Sequence, residues 1–391
     1  MKQLTAISIG ALVSMIGMLG LTGCANDDPV PECEAPTTRA LIVLRDVTAH
    51  ASVGIDPAVE CMVTAALRAG VPVSVIAVDG DPEVTLHGAH GLARTDNDTV
   101  FHDDLPHALA TIGAAFTPAN DDGLDLLAAL RMAADLSEDS TVLVISSGLQ
   151  DVEPLVYPTP GMLAAEADEL ASQVLDSGAL TDAGGIRHVT WFGAGYGAGK
   201  QGPLRDSSMD AVRATWASIL DGIGTSSTFI NAPVAETSTF TTASTVTPTL
   251  DRSLEPIAPQ VDAEEAAWVF SQDGPVAFVA NSTDYVEPRS AEAAIEQAAI
   301  QINEHGGCAV VVSGTTAEVP EMDRGQAQDL ALARADAVVE QLMRAGTARE
   351  CITVRGYAGV DSPWYIDDSP GGVFSPTIAV SNRTVRITAT G

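Results

Sequence analysis

The chain has 391 residues, 46% of them hydrophobic and 4% aromatic, and its 52 acidic against 19 basic side chains give a formal net charge of −33. That length can bury more than one core, so two domains are the natural expectation. So acidic a chain repels nucleic acid and anionic lipid headgroups, which excludes basic-patch functions.

Lys2 followed by the uncharged apolar run Leu4 to Leu21 reads as a secretory signal. The tetrad Leu21, Thr22, Gly23, Cys24 matches the bacterial lipobox. Residues 1–23 are then a lipoprotein signal peptide, and acylated Cys24 begins the mature chain and anchors it in a membrane outside the cytoplasm. An ordinary signal peptide or an uncleaved helix is the alternative. Residues 24–38, rich in Pro, Asp and Glu, read as a tether. Four cysteines remain, Cys33, Cys61, Cys308 and Cys351. Three connectivities are open to them, of which pairing within domains, Cys33 with Cys61 and Cys308 with Cys351, is the simplest; buried free thiols are the other reading. Without a C-x-x-C pair, no zinc or thioredoxin-type motif is present.

From residue 39 to 232 apolar runs alternate with helical patterns. Strands are expected at Ala40–Leu44, Val71–Val78, Thr141–Ser146 and His188–Phe192. Helices are expected at Pro57–Ala69, Asp104–Ala114, Gly123–Leu136, Met162–Leu175 and Ser208–Leu220. Strands joined by helical crossovers imply an α/β domain with a doubly wound, mainly parallel sheet, whose site lies in the loops at the strands' carboxyl ends. The run Gly193 to Lys200, GAGYGAGK, has Ala194 where a nucleotide loop needs Gly and is followed by Gln201 where it needs Ser or Thr, and no helix opens directly after it. From Pro233 to about residue 262 the composition turns to Thr, Ser and Pro, a linker.

Residues 263–391 read as an α+β domain with a mixed sheet in the order β-α-β-α-β-β. A short helix is expected at AEEAAWVF (residues 263–270). Strands follow at Val276–Ala280, Cys308–Val312, Cys351–Gly356 and Arg383–Thr388, and helices at Arg289–His305 and Gly325–Ala345. The loop from Asp361 to Val380 is expected to be irregular, with Trp364, Asp367 and Asp368 as accessory contacts. Arg334 falls four residues after Leu330 and four before Val338, so it rides the edge of a buried helical stripe. On pattern alone it is either a packed arginine paired with Glu340 or Asp336, or a site residue.

Three motifs favour the second reading. The helix carries Leu330, Arg334 and Ala335 as L-x-x-x-R-A. A turn follows with Gly356, Tyr357, Gly359 and Pro363, and a closing strand with Asn382, Arg383 and Val385. In order and spacing they resemble the OmpA-like, peptidoglycan-associated domain. That resemblance implies that Arg334 and an aspartate in an upstream G-x-T-D turn hold the carboxylate and amine of diaminopimelate in wall peptides; an arginine fork suits a carboxylate. Here the turn reads Gly314, Thr315, Thr316, Ala317, and Glu318 is the nearest acid. The expected site is therefore Arg334, Glu318 and Thr316.

The first domain resembles a von Willebrand factor A domain. The residues concerned are Asp46, Thr48 and His50 after the first strand, Asn120 to Asp125 at a helix start, Ser146, Ser147 and Gly148, and Phe192 to Gly195. The resemblance implies a magnesium ion on Asp46 and Thr48; His50 and Ser147 depart from the family's serine and aspartate, with Asp121, Asp122 or Asp151 as substitutes and Asp121 the one taken as the third ligand. The combined reading is a non-catalytic, lipid-anchored envelope protein linking membrane to peptidoglycan, with an unidentified protein partner for the first domain. The alternative is a surface interaction or adhesion module whose two ancestral sites are degenerate. A hydrolase finds no pair of carboxylates singled out by the sequence.

Overall fold

A computed structural model describes residues 33–49, 51, 54–89, 98–116, 121–197, 201, 203–231, 265–305, 308–320 and 322–390, with residues 240, 245, 247, 249, 251, 260 and 261 between them. Cys24 with its signal, His50, Asn120 and Lys200 lie outside the described residues, as does most of the linker.

In chain order the first half contains β1 (Ala40–Asp46), α1 (Pro57–Arg68), β2 (Val73–Val78), β3 (Glu83–Ala89), α2 (Asp98–Ala114), α3 (Leu126–Leu136), β4 (Ser140–Ile145), β5 (Asp151–Val152), β6 (Leu155–Val156), α4 (Ala167–Asp176), β7 (Ile186–Phe192), α5 (Asp206–Gly222) and β8 (Ser226–Ile230). Six strands form one sheet in the order β3-β2-β1-β4-β7-β8. All neighbours are parallel except the edge pair β2 and β3. Every residue of β1, β2 and β4 is buried, because helices cover both faces. Leu41 and Val43 face the side where Val59 and Val63 of α1 and Phe101 of α2 pack. Ile42 and Leu44 face the opposite side, against Leu126 of α3, Val174 of α4 and Trp216 of α5. Local chemistry sets the helix starts: Asp56 accepts the N–H of Ala58 with Pro57 in the first turn, and Asp125 accepts that of Ala128.

The second half contains β9 (Gln260–Val261), β10 (Glu265–Ser271), α6 (Pro288–His305), β11 (Val310–Thr316), α7 (Arg324–Arg344), β12 (Ile352–Ala358), α8 (Pro376–Asn382) and β13 (Thr384–Thr390). Its mixed sheet runs β12-β11-β13-β10-β9, with only β11 and β12 parallel. Trp268, Phe270, Val310, Val312, Val385 and Ile387 bury one face beneath Ile295 of α6 and Val338 of α7.

Several sequence expectations are corrected here. AEEAAWVF forms strand β10, not a helix: its Ala and Glu favour helix locally, but a strand buries Ala266, Trp268 and Phe270 on one face and pairs them with β13. Val276–Ala280 is no strand. It contributes a single bridge, Phe278 to Tyr285, on the way into a tight turn. The loop after Asp361 contains α8, and β3 and β8 are edge strands whose polar sequences gave no apolar run.

Cys33 is bonded to Cys61 on α1, and Cys308 to Cys351, just ahead of β11 and β12. Disulfides suit an oxidising compartment outside the cytoplasm. Among the described residues no helix is long and apolar enough to cross a membrane. The halves also share packing, since Val380 of α8 belongs to the core of the first sheet.

Helix α7 lies directly on its sheet because Gly314 of β11 and Gly356 of β12 leave room for it. A Cβ on Gly314 would stand 1.9 Å from the backbone oxygen of Ala331. Gly314→Ala is therefore expected to cost the second domain about 2 kcal/mol or more, read from its urea-unfolding transition.

Candidate functional site: an acidic and basic cleft between the domains

Arg334 lies midway along α7 and is 3% exposed. The turn after Phe278 receives it. Asn281 takes a left-handed conformation (φ 50°), the N–H of Ser282 bonds to the carbonyl of Val279, and that of Val279 bonds to Asp284. The turn thus aims two carbonyls at the guanidinium: Nε donates to Ser282 O at 3.0 Å and Nη2 to Val279 O at 3.2 Å. The Phe278 ring lies 5.2 Å from the guanidinium carbon. Burial lowers the guanidinium's pKa to about 10, with the nearby Glu166 opposing and Arg383 adding to the fall, so it stays cationic at neutral pH. Neither acid expected on pattern alone is its hydrogen-bond partner, and Glu340 pairs with Arg344.

Arg334 lines a cleft of about 470 Å³ that the first domain closes from the other side. Glu166, Asp168 and Glu169 come from the start of α4, where acids suit the helix dipole. Arg383, between α8 and β13 and 3% exposed by its side chain, forks onto two of them. It donates through Nη2 to Glu169, and its Nε stands 3.6 Å from Glu166. Thr316 and Ala317, at the end of β11, form part of the floor. Thr316 of the predicted site is therefore beside the cleft with Arg334.

Glu318 is not. Its carboxylate accepts the N–H of Val360 at 3.3 Å and rests on Gly359, while its own N–H donates to Asp368 at 3.0 Å. The loop candidates are likewise local organisers. Asp368 is fully buried and accepts from Tyr365 and Asn382, Asp367 accepts the N–H of Ser369, and Trp364 carries Arg386 on its face. Sequence reasoning missed Glu166, Asp168 and Glu169, which look like ordinary helix-start acids. It saw Arg383 only as part of a strand motif.

At the strand ends of the first domain Asp46 and Thr48 lie together. Asp46 is 2% exposed and turned inward, one oxygen accepting the N–H and hydroxyl of Thr48 at 3.0 and 2.9 Å and the other facing the Ser146 hydroxyl at 3.3 Å. Burial raises its pKa against the pull of the Thr48 N–H and Arg45. The N–H of Asp121 donates to Asp79 on a neighbouring loop, and the substitutes are also engaged: Asp122 accepts from Thr245, and Asp151 from Leu124 and Thr247. Ser147 accepts the N–H of Leu149. Among the described residues no three His, Cys, Asp or Glu side chains converge on a point. Asp46 is hydrogen-bonded to Thr48 and Ser146, while Asp121 bonds through its backbone N–H to Asp79.

Glu169 is pushed up to about 7 from 4.5, chiefly by burial, with Arg383 opposing. Between those values the folded chain keeps a proton that the unfolded chain has released, so stability falls as pH rises through the window. The loss is on the order of 3 kcal/mol. In urea unfolding between about pH 5 and pH 8, Glu169→Gln is expected to remove this part of the pH dependence. An unchanged slope would show that Glu169 titrates normally.

No family model matches the chain, and no curated protein matches it significantly. Solved structures similar to part of it include the cell wall anchor of the T6SS from Pseudomonas aeruginosa (20% identity, 35% of this chain and 88% of that one, TM-score 0.28). Others are the OmpA-like domain of FopA1 from Francisella tularensis (17%, 34% and 77%, TM-score 0.26) and the peptidoglycan-associated lipoprotein from Burkholderia pseudomallei (17%, 31% and 87%, TM-score 0.22).

Proposed function

We propose that this chain is a non-catalytic cell-envelope protein, held to a membrane by a lipid on Cys24 and to the cell wall by peptide binding in the Arg334 cleft. The observation that carries the reading is the seating of Arg334. A buried guanidinium is fixed by two backbone carbonyls and a ring, with a cleft of about 470 Å³ beside it. So fixed, it presents a planar, pre-oriented fork to a carboxylate without losing rotamer entropy on binding. The motif resemblance to peptidoglycan-associated domains supplies the ligand class, and lipid anchoring raises the local wall concentration, so modest affinity suffices.

A second reading, a surface interaction module, is favoured by the first domain. Its strand-end residue Asp46 is engaged internally, and Thr245 and Thr247 of the linker occupy Asp122 and Asp151. That face suits a protein partner better than an ion.

The test is co-sedimentation of the whole mature chain with purified peptidoglycan, beside Arg334→Ala and Arg334→Lys. Loss of one charge-assisted fork is expected to weaken binding by roughly tenfold to a hundredfold, with lysine recovering little of it. A parent chain that stays in the supernatant at low and moderate salt removes wall binding and leaves the interaction-module reading.

A further inference from the structure

Five described residues of the segment between the domains, Phe240, Thr245, Thr247, Thr249 and Asp251, sit against the first domain. Four of them have partners that lie around the carboxyl ends of its parallel strands. Phe240 is buried on Val47 and Ala51 after β1 and on Ala77 of β2, with the Arg45 guanidinium 5.8 Å from its ring. Thr245 makes three hydrogen bonds ahead of α3. Its N–H and hydroxyl donate to Asp122 at 2.8 and 3.1 Å, and its carbonyl accepts the N–H of Gly123 at 2.8 Å. The N–H of Thr247 donates to Asp151 at 2.6 Å. Asp251 accepts the N–H of Arg205 and the hydroxyl of Ser208 at the start of α5, at 2.9 and 2.6 Å.

Such seating is that of a bound peptide. The engaged residues from Thr245 to Asp251 recur at intervals of two, the repeat of an extended chain. Main-chain hydrogen bonds give an extended ligand its affinity, and pockets for particular side chains give it specificity. In a mainly parallel sheet this end is also the ordinary place for ligands. The fit has one flaw. Thr249 is buried and its hydroxyl has no hydrogen-bond partner among the described residues, so valine would suit that place better. A better-matched chain can therefore displace this occupant.

We propose that the strand-end face of the first domain is a receptor for an extended peptide, filled in cis by the chain's own residues around Phe240 to Asp251. Its partner in trans is a protein segment of the same chemistry. An aromatic residue enters beside Arg45, a threonine or serine five positions on faces Asp122, and an acid meets the start of α5. Acids are excluded from the middle, where Asp122 and Asp151 repel them. This names the ligand class of the interaction-module reading and rests on that reading; wall binding by the second domain does not enter it.

The probe is a fluorescein-labelled peptide with the sequence of residues 238–252, followed by anisotropy as the whole mature chain is added. The parent is set beside an opened chain carrying Phe240→Ala and Thr245→Pro, which withdraws the ring and the donors to Asp122 and leaves the receptor intact. With an effective concentration on the order of 1 mM in cis and a peptide Kd on the order of 0.1 mM, filled faces outnumber open ones about tenfold. The opened chain should therefore bind the peptide about tenfold more tightly than the parent. Adding Asp122→Ala to it should weaken binding about tenfold, and a Thr249→Val peptide should bind a few fold more tightly. Equal affinity of parent and opened chains would overturn the proposal. So would undiminished binding of a Phe240→Ala peptide, a comparison that needs no further change in the protein. Faster trypsin cleavage at Arg252 in the opened chain shows the segment released; if no peptide then binds, the peptide class falls and the interaction reading stands with a folded partner. Dimerisation of the parent that Asp122→Ala abolishes would make the occupant a second copy and overturn a separate partner.

Discussion

The guanidinium of Arg383, closed on Glu166 and Glu169 across 214 residues of chain, is the interaction on which the arrangement of this protein depends. Removing these charges from water is costly, and a buried pair compensates only with good geometry and enough hydrogen bonds. Here the geometry is set from both sides by rigid elements, α4 in one domain and the junction of α8 and β13 in the other. Apolar packing accompanies it, as Val380 enters the first domain's core and the Ser207 hydroxyl donates to Glu287 at 2.6 Å. The result is a cavity walled by two domains, not two domains on a tether.

That junction gives the chemistry its character. Arg334 alone would be a carboxylate receptor; with acids brought opposite, the cavity carries both signs within a short span. The low polarizability of such a setting strengthens attraction to a matching ligand and penalises a ligand of one sign. Burial also keeps Glu169 close to neutrality in titration, while Arg334 remains charged.

Much of this was legible in the sequence, and the failures have physical causes. Arg334 could be found because its helical spacing put a charge on an apolar stripe. Asp46 and Thr48 do lie together, since two residues of separation allow a local turn. Asp121 bonds through its backbone to Asp79, a partner no local spacing suggests, because which strand-end loops meet is decided by tertiary packing. Glu318 was the nearest acid in sequence, yet one step along a chain leaving a strand turns a side chain away. Glu169 could not be found at all: nothing in ADELASQ marks it off from any acidic helix start. Strand β10 was misread because its local propensity is helical while its burial pattern belongs to a sheet partner more than a hundred residues later. The turn at Asn281 shows the reverse error, an apolar run taken for a strand that instead serves to seat Arg334.

The most direct test of the account is the distance between the two domains in solution. Spin labels on cysteines placed at exposed positions Ser172 of α4 and Asp329 of α7, in a chain with Cys24 replaced, would report it by pulsed dipolar spectroscopy. A single narrow distance that broadens when Arg383 is replaced by Ala is the predicted result. A broad distribution in the parent chain would contradict it, leaving the two domains independent and the cleft without its second wall.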